Sequence, residues 1–588
     1  MCVKECVCVD ASLSVVGALE RVMRRCVGPH GGSVLFTRDS GGTFITRQGQ
    51  QILTALNLDH PMARMVLECV CTHYLLTADG SKTFIILLST LLQRIRDVTH
   101  THRKTCLDSM AAARQLAHQL VEFSRVELDD VLVRSVFPHA SSLFRSQGGA
   151  VERGALQRLI SGYVAGRLGS GQAELLTGLL CDLYLKTTCG ASTVQPIQFL
   201  HSQFSLLHTL VPGLSIGQSL VLEGLVLSRD WSVWKEKEEP VRALMLCESM
   251  GMVASGVSVC AHQDWAQRAE FMLEQVWERL MSLQVHVLLS TVRQPQCVLQ
   301  WAELNDTAVV ECVDPTELDL IWQISGAHAV THQALGRIVT VTFCKRLQVG
   351  GCRYAHVGLH PAAPVHAHTL LLCAPTPGLL QQCVCVCEGA LTMLQRVCQP
   401  LLRQTLPPHQ TRNSDVCQTP VLNHSQNTSP VLDHSQNSSP VLDHSQNSSP
   451  VLKHSQNTPP VPAQSDSGGP VVCAVLPVGG MFELLLHDAL SHASYHGYTE
   501  SCRLLAEALL SVPRTLGLHK PHLQTLPRSL CNQRQQSAVG SGGSEFRSSL
   551  VCVESVSCKQ QLVVSVLECA VRMLCVSAVL HTAVTYSP

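Results

Sequence analysis

Three stretches carry residue types suited to one chemistry, the holding of a phosphorylated ligand. In TADGSKTFIILL, Asp79 and Gly80 precede Ser81, Lys82 and Thr83 at the mouth of an apolar helix. Free amides and the positive end of a helix dipole favour phosphate there, hydroxyls donate to it, and a carboxylate such as Asp79 suits magnesium. The same residues also read as an ordinary helix start capped by an aspartate. Lys82 reads equally as a mobile point charge for phosphate or as a solvated lysine. VGPHGGSVLF places Gly28, Pro29 and Gly31 after the helical pattern of Val15 to Cys26, where glycine lets the backbone turn sharply beside a ligand. LPVGGMFELLL sets Gly479 and Gly480 ahead of another apolar helix, with room for a base or ribose.

These motifs need helices behind them. Pro61 to Leu76 puts Met62, Met65, Val66, Cys69 and Val70 at helical spacing, and Phe84 to Leu92 is apolar nearly all round, which predicts a central buried helix. Phe271 to Met281 has Leu273, Val276, Trp277 and Leu280 on one face and runs into an alternating strand, Val285 to Leu289. Trp231, Trp234 and Trp265 read as core or local packing before binding anchors. Between Pro420 and Pro460 a ten-residue unit of the form PVLDHSQNSS repeats with too little apolar bulk to build a core. The expectation is a disordered insertion over 405–469, with a second flexible loop over 533–549.

At 588 residues the chain is long enough for about three or four domains. Lys plus Arg, 43, balances Asp plus Glu, 44, so no field draws in nucleic acid or an anionic membrane. The 28 cysteines are expected reduced in the cytosol, since Met1 to Asp10 is charged and lacks a signal-like apolar run. Cys6 with Cys8, and Cys383, Cys385 and Cys387, alternate with other residues as a buried strand does, a reading preferred here to zinc. Gln561 to Val584 contains Glu568 and Arg572 and reads as a buried helix, with no membrane span.

In their order along the chain these motifs resemble the group II chaperonins. The family's GPxG matches Gly28 to Gly31, its ITNDGATIL is similar to ITRQGQQIL at Ile45 to Leu53, and its HPAAK matches HPMAR at His60 to Arg64. GDGTTT resembles Ala78 to Thr83, GGGAxE is similar to Val478 to Glu483, GVVLDKE looks like Gly224 to Asp230, and ATGARIV resembles Ile324 to Val330. The resemblance implies a multidomain α/β (α+β) subunit: a mainly helical equatorial domain at 1–130 and 387–588, an intermediate domain at 131–221 and 350–386, and an α/β apical domain at 222–349. It implies ATP and Mg2+ as cofactors, with Gly28, Pro29, Gly31, Asp79, Gly80, Ser81, Lys82, Thr83, Gly479, Gly480 and Glu483 around the nucleotide and Asp79 on the metal. The likeness to chaperonin-like members of the family implies a chaperone role in assembling the BBSome, a coat complex for ciliary cargo. Related chaperonin-like subunits, the cytosolic ring chaperonin and BBSome subunits would be partners, in the cytoplasm near the centrosome, basal body or cilium.

Two departures bear on mechanism. Family ATPases also use the Asp of NDG and the Asp of HDAL to orient and activate water; here those positions are Gln48 and Gly389, with Glu388 one residue early in CEGAL. Glycine has no side chain to take a proton and glutamine is no base near neutral pH. Loss of a general base costs about 10²-fold to 10⁴-fold in rate. Nucleotide binding is therefore expected to outlast efficient hydrolysis, leaving at most a weak ATPase. The competing readings are an ATP-hydrolysing folding chaperonin, whose lid protrusion would have to lie at Val257 to Phe271, and an adaptor with a relic pocket.

Overall fold

Where apolar spacing predicts helices around the glycine motifs, the computed structural model has them. The residues described are 3–6, 8–28, 31–37, 43–101, 106–143, 151–188, 194–250, 274, 277–325, 330–332, 336–359, 365–398, 473–492, 495, 497–517 and 552–581. The Pro61–Thr77 helix buries Met62, Val66, Cys69 and Val70. Its proline sits in the first turn, where a missing N–H costs nothing, and the His60 ring accepts from the Met62 N–H at 3.2 Å. Ala78 ends this helix in the left-handed region, φ 52°, and the chain enters the Ser81–Thr101 helix within three residues. Phe84 to Leu88, Leu91 and Leu92 are all buried there, as the all-round apolar pattern predicts.

One apolar core joins both ends of the chain. Val16, Leu19 and Met23 from the Val9–Arg24 helix and Phe84, Leu87 and Leu91 pack with Phe482, Leu486, Leu505, Val563 and Val566. The helices carrying those last residues are Met481–His492, Thr499–Leu509 and Val556–Cys575. A second core packs Leu159, Tyr163 and Leu180 from the Arg153–Ala165 and Ser170–Thr188 helices against Cys387, Leu391 and Leu394 of the Pro377–Val397 helix. The same core extends to a mixed sheet.

Among the described residues that sheet has seven strands. In spatial order they are Ala308–Val310, Val285–Ser290, Val241–Leu246, Gly336–Val349, Cys352–Leu359 and Leu225–Val226, with Val330–His332 paired to Gly336–Val349. The first three run parallel and the others pair antiparallel. His208–Pro212, His368–Ala374 and Leu220–Glu223 form a separate three-stranded sheet. Trp231 is 4% exposed and packs with Trp234, ring centroids 5.8 Å apart, as local packing.

Two expectations need correction. Cys383, Cys385 and Cys387 lie in the Pro377–Val397 helix, not in a strand. Thr376 caps that helix by accepting from the Leu379 N–H at 3.3 Å, and burial on several sides lets small Val and Cys residues alternate without marking a sheet. The late apolar stretch is helical only to Cys575; Ala578–His581 is a strand, antiparallel to Val3–Cys6. Pairing with the chain start supplies backbone partners that a longer helix would have had to find in itself. No helix of the described residues is long and apolar enough to cross a membrane. Glu274 and residues 277–282 are helical and lead into Val285–Ser290. The expected protrusion at 257–271, Trp265, the insertion at 405–469 and the loop at 533–549 lie outside the described residues.

Candidate functional site

A cavity of about 840 Å³ opens where the two ends of the chain meet. Gly28, Gln48, Asp79, Gly80, Ser81, Lys82, Thr83, Gly479 and Gly480 all line it. Residues more than 390 positions apart in sequence thus share one wall. Gly28, Gly80, Gly479 and Gly480 have φ of +82°, +77°, +109° and +91°, a region where a Cβ is strained, which explains glycine at each. Gly31 does not line the cavity but shapes its edge: a Cβ there would stand 2.5 Å from the Cys26 carbonyl oxygen. Pro29 lies outside the described residues. Glu483 sits in the first turn of the Met481–His492 helix, 2% exposed and off the cavity lining.

The phosphate-loop side chains are already engaged. Arg167 donates from Nη2 to Asp79 Oδ1 at 2.7 Å. Burial pushes the Asp79 carboxyl up, but the adjacent guanidinium and its hydrogen bond outweigh that and leave it below the usual carboxylate range. Lys82 is neither solvated nor loose; its Nζ donates to the Cys26 carbonyl at 2.8 Å. Burial lowers its pKa to about 8, so it remains mainly charged at neutral pH.

A tyrosine stands against each of the two positions that depart from the chaperonin pattern. The Gln48 amide donates to Tyr74 Oη, while its buried Oε1 has no hydrogen-bond partner. At Gly389 a Cβ would stand 2.1 Å from Tyr163 Oη, and that hydroxyl donates to the Ala78 carbonyl at 3.0 Å. Burial raises the pKa of both phenols, so neither is a base near neutral pH. Glu388 is exposed and lines a different, smaller hollow with His201 and Phe204. One residue along a helix is a turn of about 100°, which keeps its carboxylate away from the larger cavity.

Several cavity residues escaped the sequence analysis. Arg167, Tyr163 and Tyr74 line it, as do Arg47, Glu554 and Lys559. Lys559 Nζ bridges Glu483 Oε1 at 2.8 Å and Glu554 Oε2 at 3.1 Å. Burial works against the Lys559 charge, yet the two glutamates hold its pKa above the ordinary lysine value. Burial raises Glu554 to about 7, and its Oε1 has no hydrogen-bond partner. The only local hint at these groups was the i, i+4 spacing of Tyr163 and Arg167 at a helix end.

A divalent metal held by the protein does not fit this donor set. The one carboxylate of the phosphate loop, Asp79, already has a cation in place, its Oδ1 accepting from Arg167 Nη2 at 2.7 Å, so a divalent metal there would meet a like charge. An anionic ligand does fit: Lys82, Arg167 and Lys559 line the cavity with Asp79 and Glu554, and the hydroxyl residues Ser81 and Thr83 stand at the start of a 21-residue helix.

Residues 19–401 match the model of the TCP-1/cpn60 chaperonin family, and the chain belongs to that family. It is 28% identical to the BBSome complex assembly protein BBS10 of Mus musculus, with 97% of each chain covered. It is 30% identical to the Homo sapiens protein of the same name over 67% of this chain and 58% of that one. The fold is also that of a group III chaperonin solved in the open state, at TM-score 0.58 and 15% identity, covering 97% of this chain and 98% of the other.

Proposed function

We propose that this chain is a chaperonin-like assembly factor that binds a nucleoside triphosphate in the cavity and hydrolyses it weakly or not at all. The observation that carries the reading is the pairing of a retained phosphate loop with Gln48 and Gly389, each set against a tyrosine, where the family pattern has carboxylates. Ser81, Lys82 and Thr83 stand at a helix N-terminus on the cavity, while Tyr163 fills the space beside Gly389 and Tyr74 holds the Gln48 amide. The bound triphosphate supplies charge and hydrogen-bonding groups that tie the two ends of the chain together. Lys82 and Arg167 would meet its phosphates, and Gly479 and Gly480 would border its base or ribose.

In this reading the client is a ciliary coat, the BBSome, through related chaperonin-like subunits and the cytosolic ring chaperonin, in the cytoplasm near the basal body. Support comes from the likeness to BBS10 over 97% of both chains. Equatorial, intermediate and apical roles for the segments belong to the same proposal. A second reading, an adaptor with a relic pocket, is favoured by the Asp79–Arg167 pair, which satisfies both charges without ligand.

Steady-state phosphate release from the purified chain, combined with its sedimentation, tests the proposal. Release near background from a particle smaller than a double ring agrees with it. Turnover at the rate of an active ring chaperonin, abolished by Asp79→Ala, would replace it with a folding ATPase.

A further inference from the structure

We propose that Arg167 stands as a built-in cation where the family pattern puts magnesium, so that the cavity takes its nucleoside triphosphate without a divalent metal. This rests on the reading that the cavity binds a triphosphate at all. The guanidinium is held on several sides. Nη2 donates to Asp79 Oδ1 at 2.7 Å and to the Ala78 carbonyl at 3.3 Å, Nη1 donates to the Tyr163 carbonyl, and the guanidinium carbon lies 3.6 Å from the Tyr163 ring centroid. Its backbone is fixed as well: the Arg167 N–H donates to the Val164 carbonyl at 2.9 Å and its carbonyl accepts from the Gln382 amide at 3.2 Å. Moving the guanidinium away to admit a metal would break its bonds to Asp79, Ala78 and Tyr163.

A guanidinium has five N–H donors in a fixed fork. Asp79, Ala78 and Tyr163 take three of them, and Nε is buried without a partner. One Nη1 donor therefore remains on a residue that lines the cavity, with a charge that arginine never loses near neutral pH. Lys82 lines the same cavity and adds a second cation for the negative charges of a triphosphate, while Lys559 is bridged to Glu483 and Glu554. Charge-assisted contacts of this kind are the strong ones. A metal arriving at Asp79 would instead meet a like charge already bonded to its Oδ1.

The test is an equilibrium titration of the full chain with a fluorescent nucleoside triphosphate, in excess magnesium and again in EDTA. The wild type should bind with affinities within about threefold of each other in the two buffers. Arg167→Gln should lose about tenfold or more in EDTA and recover when magnesium is added, as Asp79 becomes free to hold it. Arg167→Lys keeps a charge and should retain part of the metal-free binding, and its melting profile checks that the fold survives. Binding by the wild type only with magnesium would overturn this inference and leave the proposed function standing. Arg167→Gln matching the wild type in EDTA would overturn it too. Absence of binding in both buffers would instead remove the nucleotide from the proposed function, and this inference with it.

Discussion

Replacing Gly389 by alanine adds one methyl group inside a helix, where alanine is ordinarily favoured over glycine by about 1 kcal/mol. Here the added Cβ would lie 2.1 Å from Tyr163 Oη, 3.2 Å from its Cζ and 3.4 Å from the Ala78 Cβ. Tyr163 is 4% exposed, so its ring has little room to withdraw. Overpacking of this kind costs about 1–3 kcal/mol, and displacing the hydroxyl from the Ala78 carbonyl costs about 1 kcal/mol more. After the helix-propensity gain, Gly389→Ala should destabilise by about 1–3 kcal/mol. Tyr163→Phe removes the offending atom and leaves the 3.2 Å and 3.4 Å contacts, a matter of a small shift. In that background the same substitution should be neutral or slightly stabilising. Thermal melts of the four proteins measure the cycle, and the decisive quantity is the change of sign. If Gly389→Ala is harmless in the wild type, or equally harmful with and without the hydroxyl, then Tyr163 is not what excludes a side chain from this position.

Two pH effects of opposite sign follow from buried groups. His73, 1% exposed, is lowered to about 4 mainly by burial, against an unfolded value of 6.5, so the unfolded chain binds the extra proton first and stability is lost as pH falls from about 6.5 to 4. The loss sums to about 3 kcal/mol, and His73→Gln should flatten the acid limb of a melting-temperature profile by that amount. Glu554 is raised by burial to about 7 from 4.5, so the folded state binds the extra proton and stability is greatest below 4.5 and lost as pH rises through 7. Glu554→Gln should accordingly raise the melting midpoint at pH 8 while changing it little at pH 5; an equal shift at both values would remove the carboxylate as the cause.

What could be read from the sequence was what local chemistry dictates. Gly28, Gly80, Gly479 and Gly480 are glycine because positive φ demands it, and the all-round apolar run at Phe84 to Leu92 announced a buried helix at the phosphate loop. Family likeness supplied the chaperonin fold and drew attention to Gln48 and Gly389. The groups now set against those positions were not legible, since tertiary approach alone brings them there. Tyr163 and Arg167 reach Ala78 and Asp79 across more than 80 residues, and Lys559 reaches Glu483 across 76. Periodicity also misled at Cys383, Cys385 and Cys387: a helix buried on several sides tolerates small residues at every second position, and so imitates a strand.

The account as a whole turns on whether the cavity keeps a triphosphate intact. A single-turnover experiment with protein in excess over γ-labelled ATP addresses this most directly, because retained label and released phosphate are counted in one sample. The prediction is label that stays with the protein as ATP, with phosphate accumulating no faster than in buffer. Rapid conversion to phosphate by the wild type but not by Asp79→Ala would contradict it, as would label that never stays with the protein.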